Sequence, residues 1–264
     1  MSKLQDMFTQ ARRAQSGGGM GFLGKSKTEL KPRVAALVVE LPGIDAGSAE
    51  AAVKAGANGL LFPWDGKNTS SLEKLKTIID SARASRENIV SGLRLTGGWE
   101  KLEREQLERL KDQGINYIIL PLRAQARLLG MQIKDLDLVV SVPMNQGELY
   151  PNFVSNLSAF GTVAAIHLDF GLSDDVSKLT IEDVMHYRAV REAVHSPALL
   201  DVSADLSHAD VYTLLTLGIQ GMVLPASDDD ATTHEHITAV GELLEKIYQE
   251  EKEREKDKSP GIKP

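Results

Sequence analysis

The sequence predicts a closed (β/α)8 barrel preceded by a short helical arm. Between residues 33 and 249, a short apolar run, a turn and a longer amphipathic segment alternate eight times. The apolar runs lack clean period-two alternation, as expected of parallel strands covered on both faces. One phrase also recurs three times: Ala55-Gly56-Ala57-Asn58-Gly59-Leu60-Leu61-Phe62-Pro63, Gln113-Gly114-Ile115-Asn116-Tyr117-Ile118-Ile119-Leu120-Pro121 and Leu217-Gly218-Ile219-Gln220-Gly221-Met222-Val223-Leu224-Pro225. Each copy is a helix-ending glycine, a polar residue, a strand and a proline, as expected of a fold built from repeated units. An open doubly wound sheet more often has about five to seven strands and a glycine-rich turn after the first. Here that turn reads Leu41-Pro42-Gly43-Ile44-Asp45, without a G-x-G-x-x-G pattern.

The elements follow in order. Residues 2–15 read as an amphipathic helix, with Leu4, Met7, Phe8 and Ala11 at helical spacing. Gly17, Gly18, Gly19, Gly21 and Gly24 then form a flexible stretch, so residues 1–32 are expected to be an arm packing under or beside the barrel. Gly19 to Ser26 fits the phosphate-loop pattern G-x-x-x-x-G-K-[ST]. That loop needs a strand before it and a helix after it, whereas here a helix precedes and Lys31-Pro32 follows, so nucleotide binding is rejected. The strands are expected at 34–41, 59–62, 89–95, 117–120, 136–142, 164–168, 198–202 and 221–224. The helices are expected at 48–55, 71–84, 101–113, 124–129, 149–160, 181–194, 208–217 and 233–252. Thr180 with Asp183, and Thr69 to Ser71 ahead of Glu73, are start signals. Gly56, Gly114, Gly161 and Gly218 stand where helices should stop. The barrel is assigned to residues 33–249 and a charged tail to 250–264.

Composition narrows the function classes. A net charge of −7 over 264 residues supplies no broad basic face for phosphates, so neither nucleic acid nor an anionic membrane surface is expected as a partner. The absence of cysteine excludes disulfides, thiolate ligands and thiol nucleophiles. No segment approaches ~18 consecutive apolar residues, so no membrane insertion is expected. Residues 1–15 lack the apolar run of a secretory signal, which makes a cytoplasmic protein the expectation.

The stretch from Ala51 to Phe62, read as A-x-x-A-G-A-(D/N)-G, resembles the turn of aldolase-type TIM barrels. In architecture the resemblance spans residues 33–249. It implies that fold, and only weakly a lyase-like activity, because the motif is shared by barrels of many functions.

In such barrels ligands bind at the C-terminal ends of the strands. Those ends carry Glu40, Trp64, Asp65, Arg94, Thr96, Arg123, Asn145, His167, Asp169, Asp201, Ser203 and Asp205. Residues two apart on a strand point the same way, so His167 and Asp169 are candidates for one acid–base site, joined by Asp201. Asp205 or Ser207 could instead cap the helix near His208. Glu40 and Asp169 are candidate oxygen ligands for a divalent metal, the one cofactor considered. Arg94 and Arg123 end neighbouring strands and could clamp a carboxylate or phosphate; pairing with Glu40 or another rim carboxylate is the alternative. Trp64 and Asn145 complete the candidate substrate contacts. No lysine ends a strand, which removes the nucleophile of a Schiff-base aldolase. Acidic residues in the loops after strands seven and eight, where many barrels cradle phosphate, argue against phosphorylated ligands.

Two functions follow as expectations. The first is a lyase-like enzyme acting on a small carboxylate-bearing metabolite. The second is a non-catalytic barrel whose arm, with Phe8 and Phe22 exposed, binds a partner or a second copy of itself.

Overall fold

The computed structural model describes residues 2–13, 31–43, 46–67, 69–145, 147–171 and 176–258. Its eight parallel strands close into a ring in chain order, β8 pairing back onto β1. They are β1 (Ala36–Glu40), β2 (Gly59–Trp64), β3 (Val90–Leu95), β4 (Tyr117–Pro121), β5 (Asp137–Pro143), β6 (Val163–Asp169), β7 (Ala198–Asp201) and β8 (Gly221–Pro225). All eight lie where the apolar runs predict. The arm helix is α1 (Lys3–Arg12); α2 (Ala46–Lys54), α3 (Thr69–Ser85), α4 (Arg104–Asp112), α5 (Tyr150–Ser155), α6 (Ile181–Val194), α7 (His208–Thr216) and α8 (Asp230–Lys258) surround the ring.

The helices depart from the sequence reading in three places. Between β4 and β5 the expected helix is only a 3-10 turn, Ala126–Gly130, in which Leu128 alone is buried. One apolar side chain gives no stripe by which a full helix could dock. The expected helix at 149–160 divides into α5 and a 3-10 turn, Asn156–Ala159. Helix α8 runs unbroken to Lys258, beyond the expected end at residue 252, so the charged tail extends the helix further than its spacing suggests. Residues 14–30, which include the glycine stretch and Phe22, lie outside the described residues, as do the side chains of Thr69 to Ser71.

The recurring phrase has a physical meaning. Asn58, Asn116 and Gln220 each stand just before an even-numbered strand and clasp the strand before it in both directions. Asn58 N–H donates to the Leu37 carbonyl (2.7 Å), and Leu37 N–H donates to Asn58 Oδ1 (2.8 Å). Asn116 does the same with Ser91 (2.8 and 3.1 Å), and Gln220 with Ala198 (3.0 and 2.7 Å). The glycine two residues earlier has positive φ in all three copies, 110°, 93° and 78° at Gly56, Gly114 and Gly218, which ends the helix. In each copy an arginine then donates to that glycine's carbonyl: Arg33 to Gly56, Arg83 to Gly114 and Arg191 to Gly218.

The register sorts the side chains that point into the ring. Ala36, Val90, Tyr117, Val38, Leu61, Ile119, Val139, Ala165, Leu199 and Val223 form an interior apolar cluster, and Leu4, Met7, Phe8 and Ala11 of α1 belong to it. Helix α1 therefore plugs the N-terminal mouth of the barrel. Two inward glycines make room: a Cβ on Gly59 would lie 3.0 Å from Met7 Sδ, and one on Gly221 would lie 2.8 Å from Phe8 Cε1. Asp137, at the start of β5, accepts hydrogen bonds from the Ser2 side chain and the Leu4 backbone. Arg33 N–H donates to the Ala11 carbonyl at 2.7 Å. Phe8 is thus buried, which corrects the expectation that it presents an association surface. No helix among the described residues is long and apolar enough to cross a membrane.

Candidate functional site

Above the apolar layers, the next inward positions are polar. The strand registers place Glu40 (β1), Arg94 (β3), Ser141 (β5), His167 (β6) and Asp201 (β7) at the C-terminal mouth, with Pro63, Pro121 and Pro225 at the matching positions of β2, β4 and β8. The prolines cost the sheet little there, because each stands at or next to the last residue of its strand. They place no ionisable group at these three positions.

Arg94 is the hub. Its two terminal nitrogens donate to the two carboxylate oxygens of Asp201, Nη1 to Oδ2 at 3.0 Å and Nη2 to Oδ1 at 2.7 Å. This is the bidentate fork in which guanidinium and carboxylate geometry match. Its Nε lies 2.8 Å from Glu40 Oε1. That contact is an ion pair by distance; among the described residues the buried Nε–H has no well-aligned hydrogen-bond acceptor. His167, fully buried, places Nε2 3.1 Å from Asp201 Oδ1 and Nδ1 3.1 Å from Ser141 Oγ. One tautomer satisfies both contacts: Ser141 O–H donates to Nδ1, and Nε2–H donates to Asp201. The order is then Ser141, His167, Asp201, Arg94, Glu40.

These contacts divide the two carboxylates. Burial raises the proton affinity of Asp201, but hydrogen bonds from His167 and Arg94, with the Arg94 charge, outweigh it and hold the carboxyl well below the usual range. For Glu40 burial prevails: despite Arg94, and with the Asp201 charge adding to the effect, its pKa lies above the usual glutamate value. Burial disfavours the charge on Arg94, yet Asp201 and Glu40 together stabilise the guanidinium further. With both carboxylates ionised, Glu40, Asp201 and Arg94 sum to one negative charge. Two carboxylates in one site with opposed shifts are the usual arrangement of a fixed anion beside a proton-transfer group.

Below the cluster stands Tyr117, wholly buried, its hydroxyl without a hydrogen-bond partner among the described residues. A Cβ on Gly92 would fall within its ring, so the phenol occupies the space which that glycine leaves in β3. Burial raises its pKa.

The sequence-derived candidates divide accordingly. Glu40, Arg94, His167 and Asp201 converge. Asp169 lies exposed at the end of β6, its carbonyl accepting from Met144 N–H. Arg123 is apart from Arg94: it is exposed and stacks on the Trp99 ring, 4.9 Å from its centroid, so the two arginines form no clamp. Trp64 occupies the outward parity of β2 and is buried in the core between ring and helices, away from the mouth. Asn145 closes its own turn, accepting from Gly147 N–H. Strand β7 ends at Asp201, so Ser203 and Asp205 do not continue its direction; Ser207 caps α7 in a capping box with Asp210. Among the described residues no group of three or more acidic or histidine side chains forms a metal-binding arrangement. A cation at Glu40 would have to displace Arg94. The sequence reading passed over Ser141 and Tyr117, although Ser141 shares the inward parity of its neighbour His167.

No protein-family model matches this chain, and no curated protein does. Solved structures do match. Tryptophan synthase from M. tuberculosis, in an open form with BRD0059 bound, aligns over 92% of this chain and 99% of that one, with TM-score 0.62 and 12% identity. A structure described as native KDPGal aligns over 87% and 100%, with TM-score 0.56 and 14% identity. An HpcH/HpaI aldolase from Desulfitobacterium hafniense DCB-2 aligns over 87% and 96%, with TM-score 0.50 and 10% identity. At such identities the likeness is one of fold, and the chain has the closed (β/α)8 TIM-barrel fold.

Proposed function

We propose that this barrel is a lyase-like enzyme acting by proton transfer on a small carboxylate-bearing metabolite bound at the C-terminal mouth. The carrying observation is the asymmetry of Arg94. Two hydrogen bonds fix one edge of its guanidinium to Asp201, while Nε, 2.8 Å from a glutamate of raised proton affinity, has no well-aligned acceptor among the described residues. A substrate carboxylate arriving at the Nε edge completes the arginine's hydrogen bonds and frees Glu40, which then takes or returns the substrate proton. His167 and Ser141 act through Asp201, holding the arginine in place. The fold of the similar aldolase is in keeping with this chemistry.

A second reading has its own support: apart from Nε, each group of the cluster already has a partner within the chain, as in a purely structural ion network. A panel of small mono- and dicarboxylates, carbonyl compounds and divalent cations, screened by thermal stabilisation, separates the two. The enzyme reading expects a carboxylate to raise the melting temperature of the wild type and of Glu40→Gln, but not of Arg94→Gln. Absence of any response, together with a Glu40 carboxyl titrating in the ordinary range by NMR, would establish the structural network instead.

A further inference from the structure

The large apolar side chains that remain exposed among the described residues are gathered on one side of the barrel. They are Leu149, Phe153 and Phe160 on and around α5, and Ile181 and Met185 on the first turns of α6, which packs beside α5. Ile181 is 82% exposed and Met185 66%, values usual for charged residues. Helix α6 has a built start, a Thr180–Asp183 capping box, so these two side chains project from a fixed turn. An apolar patch on a rigid scaffold marks an interaction surface.

We propose that this face is the interface of a two-fold homodimer in which α6 packs antiparallel against the same helix of a second copy, centred on Met185. The charge pattern selects this occupant. A two-fold axis at Met185 sets each residue against the one whose number makes the sum 370. Met185 then meets Met185 of the second copy, Ile181 meets Ala189, and Glu182 meets Arg188. Each acidic residue in this set faces a basic one, and each apolar residue faces an apolar one, the self-complementarity that an isologous interface requires. The antiparallel arrangement also sets opposite ends of the helix dipoles side by side. Within one chain Arg188 Nη1 donates to the Thr216 carbonyl at 3.2 Å, and among the described residues the ion pairs of Glu182 and Arg188 are loose, exposed contacts one turn away, with His186 and Glu192, both at 3.9 Å. Such pairs contribute little and are readily exchanged. Phe153 and Leu149, 59% and 76% exposed, extend the apolar area beside the helix pair. The surface lies on the flank of the barrel, so it holds whatever the mouth does.

Sedimentation equilibrium tests the proposal on the full chain. The wild type should sediment as a dimer, and Ile181→Glu with Met185→Glu should weaken association about tenfold or more without loss of helicity, since both positions face solvent in the single chain. Glu182→Arg or Arg188→Glu alone should weaken it, and the two together should restore it. The chain has no cysteine, so Met185→Cys should form a disulfide-linked dimer on oxidation, whereas Glu105→Cys on α4 should not. A wild type that remains monomeric at about 100 µM, far above the Kd of a specific interface, would overturn the proposal. So would a dimer unaffected by Ile181→Glu with Met185→Glu.

Discussion

At the scale of single residues, the interior is tuned by where a Cβ is missing and where a polar atom lacks a partner. Gly92 and Tyr117 form one unit, because the phenol ring fills the space that a side chain on Gly92 would take. Gly92→Ala should destabilise the fold by about 1–3 kcal/mol, the usual cost of overpacking a closed interior. Pairing it with Tyr117→Val should recover part of that loss in urea denaturation. Pairing it with Tyr117→Phe should not, since the clash is with the ring and not the hydroxyl. Tyr117→Phe alone removes a buried hydroxyl that has no partner among the described residues. It should leave stability unchanged or raise it, by up to about 1 kcal/mol. A loss of more than that would mean that the hydroxyl is hydrogen-bonded in solution. Gly92 is legible in the sequence only as a glycine within a strand; what it accommodates depends on β4, which the chain reaches 25 residues later.

At the scale of elements, the strands were legible and the helix boundaries less so, for one reason. A strand buried on both faces must be apolar throughout, and the eight runs announce themselves. A helix that covers such a ring needs only a narrow apolar stripe, which a 3-10 turn with a single buried leucine imitates between β4 and β5. Helix α1 shows the limit from the other side. Its amphipathic spacing was readable, but not that its apolar face would enter the barrel; that depends on Gly59 and Gly221, more than 40 and 200 residues away. The plug makes a definite prediction. Phe8→Ala empties space at the N-terminal mouth and should cost about 3–5 kcal/mol by chemical denaturation, as for other buried phenylalanines. Gly221→Val should cost more than an average core substitution, because its side chain would meet both Phe8 and Leu199. An arm serving only as an exposed association segment would leave stability unmoved by Phe8→Ala.

At the scale of the whole molecule, the barrel is graded along its axis: a helical plug below, apolar layers in the middle and an ionic cluster at the open end. That gradient separates what the sequence could show about the site from what it could not. The cluster's members were readable as strand ends. Which of them share the mouth was not, because inward parity must be carried across all eight strands; it admits Glu40, Arg94, His167 and Asp201 and turns Trp64 outward. The same gradient makes global stability a readout of the mouth's charge, with two carboxylates acting in opposite directions. The folded-state pKa of Asp201 is depressed, so its contribution is present above the unfolded value of about 3.9 and is lost as pH falls below it. For Glu40 the folded-state pKa is raised, so the native state binds its proton more tightly than the unfolded chain does. Stability therefore increases as pH falls from above that raised value towards the unfolded value of about 4.3. Urea denaturation from pH 7 to pH 3 should thus show wild-type stability gaining a Glu40 increment on mild acidification, then losing the Asp201 increment below about pH 4. Glu40→Gln should remove the first feature and keep the second; Asp201→Asn should remove the second. If the Glu40→Gln and wild-type curves run parallel between pH 7 and pH 4.5, Glu40 does not hold its proton in the way the mouth requires, and its role as the proton-transfer group fails with it.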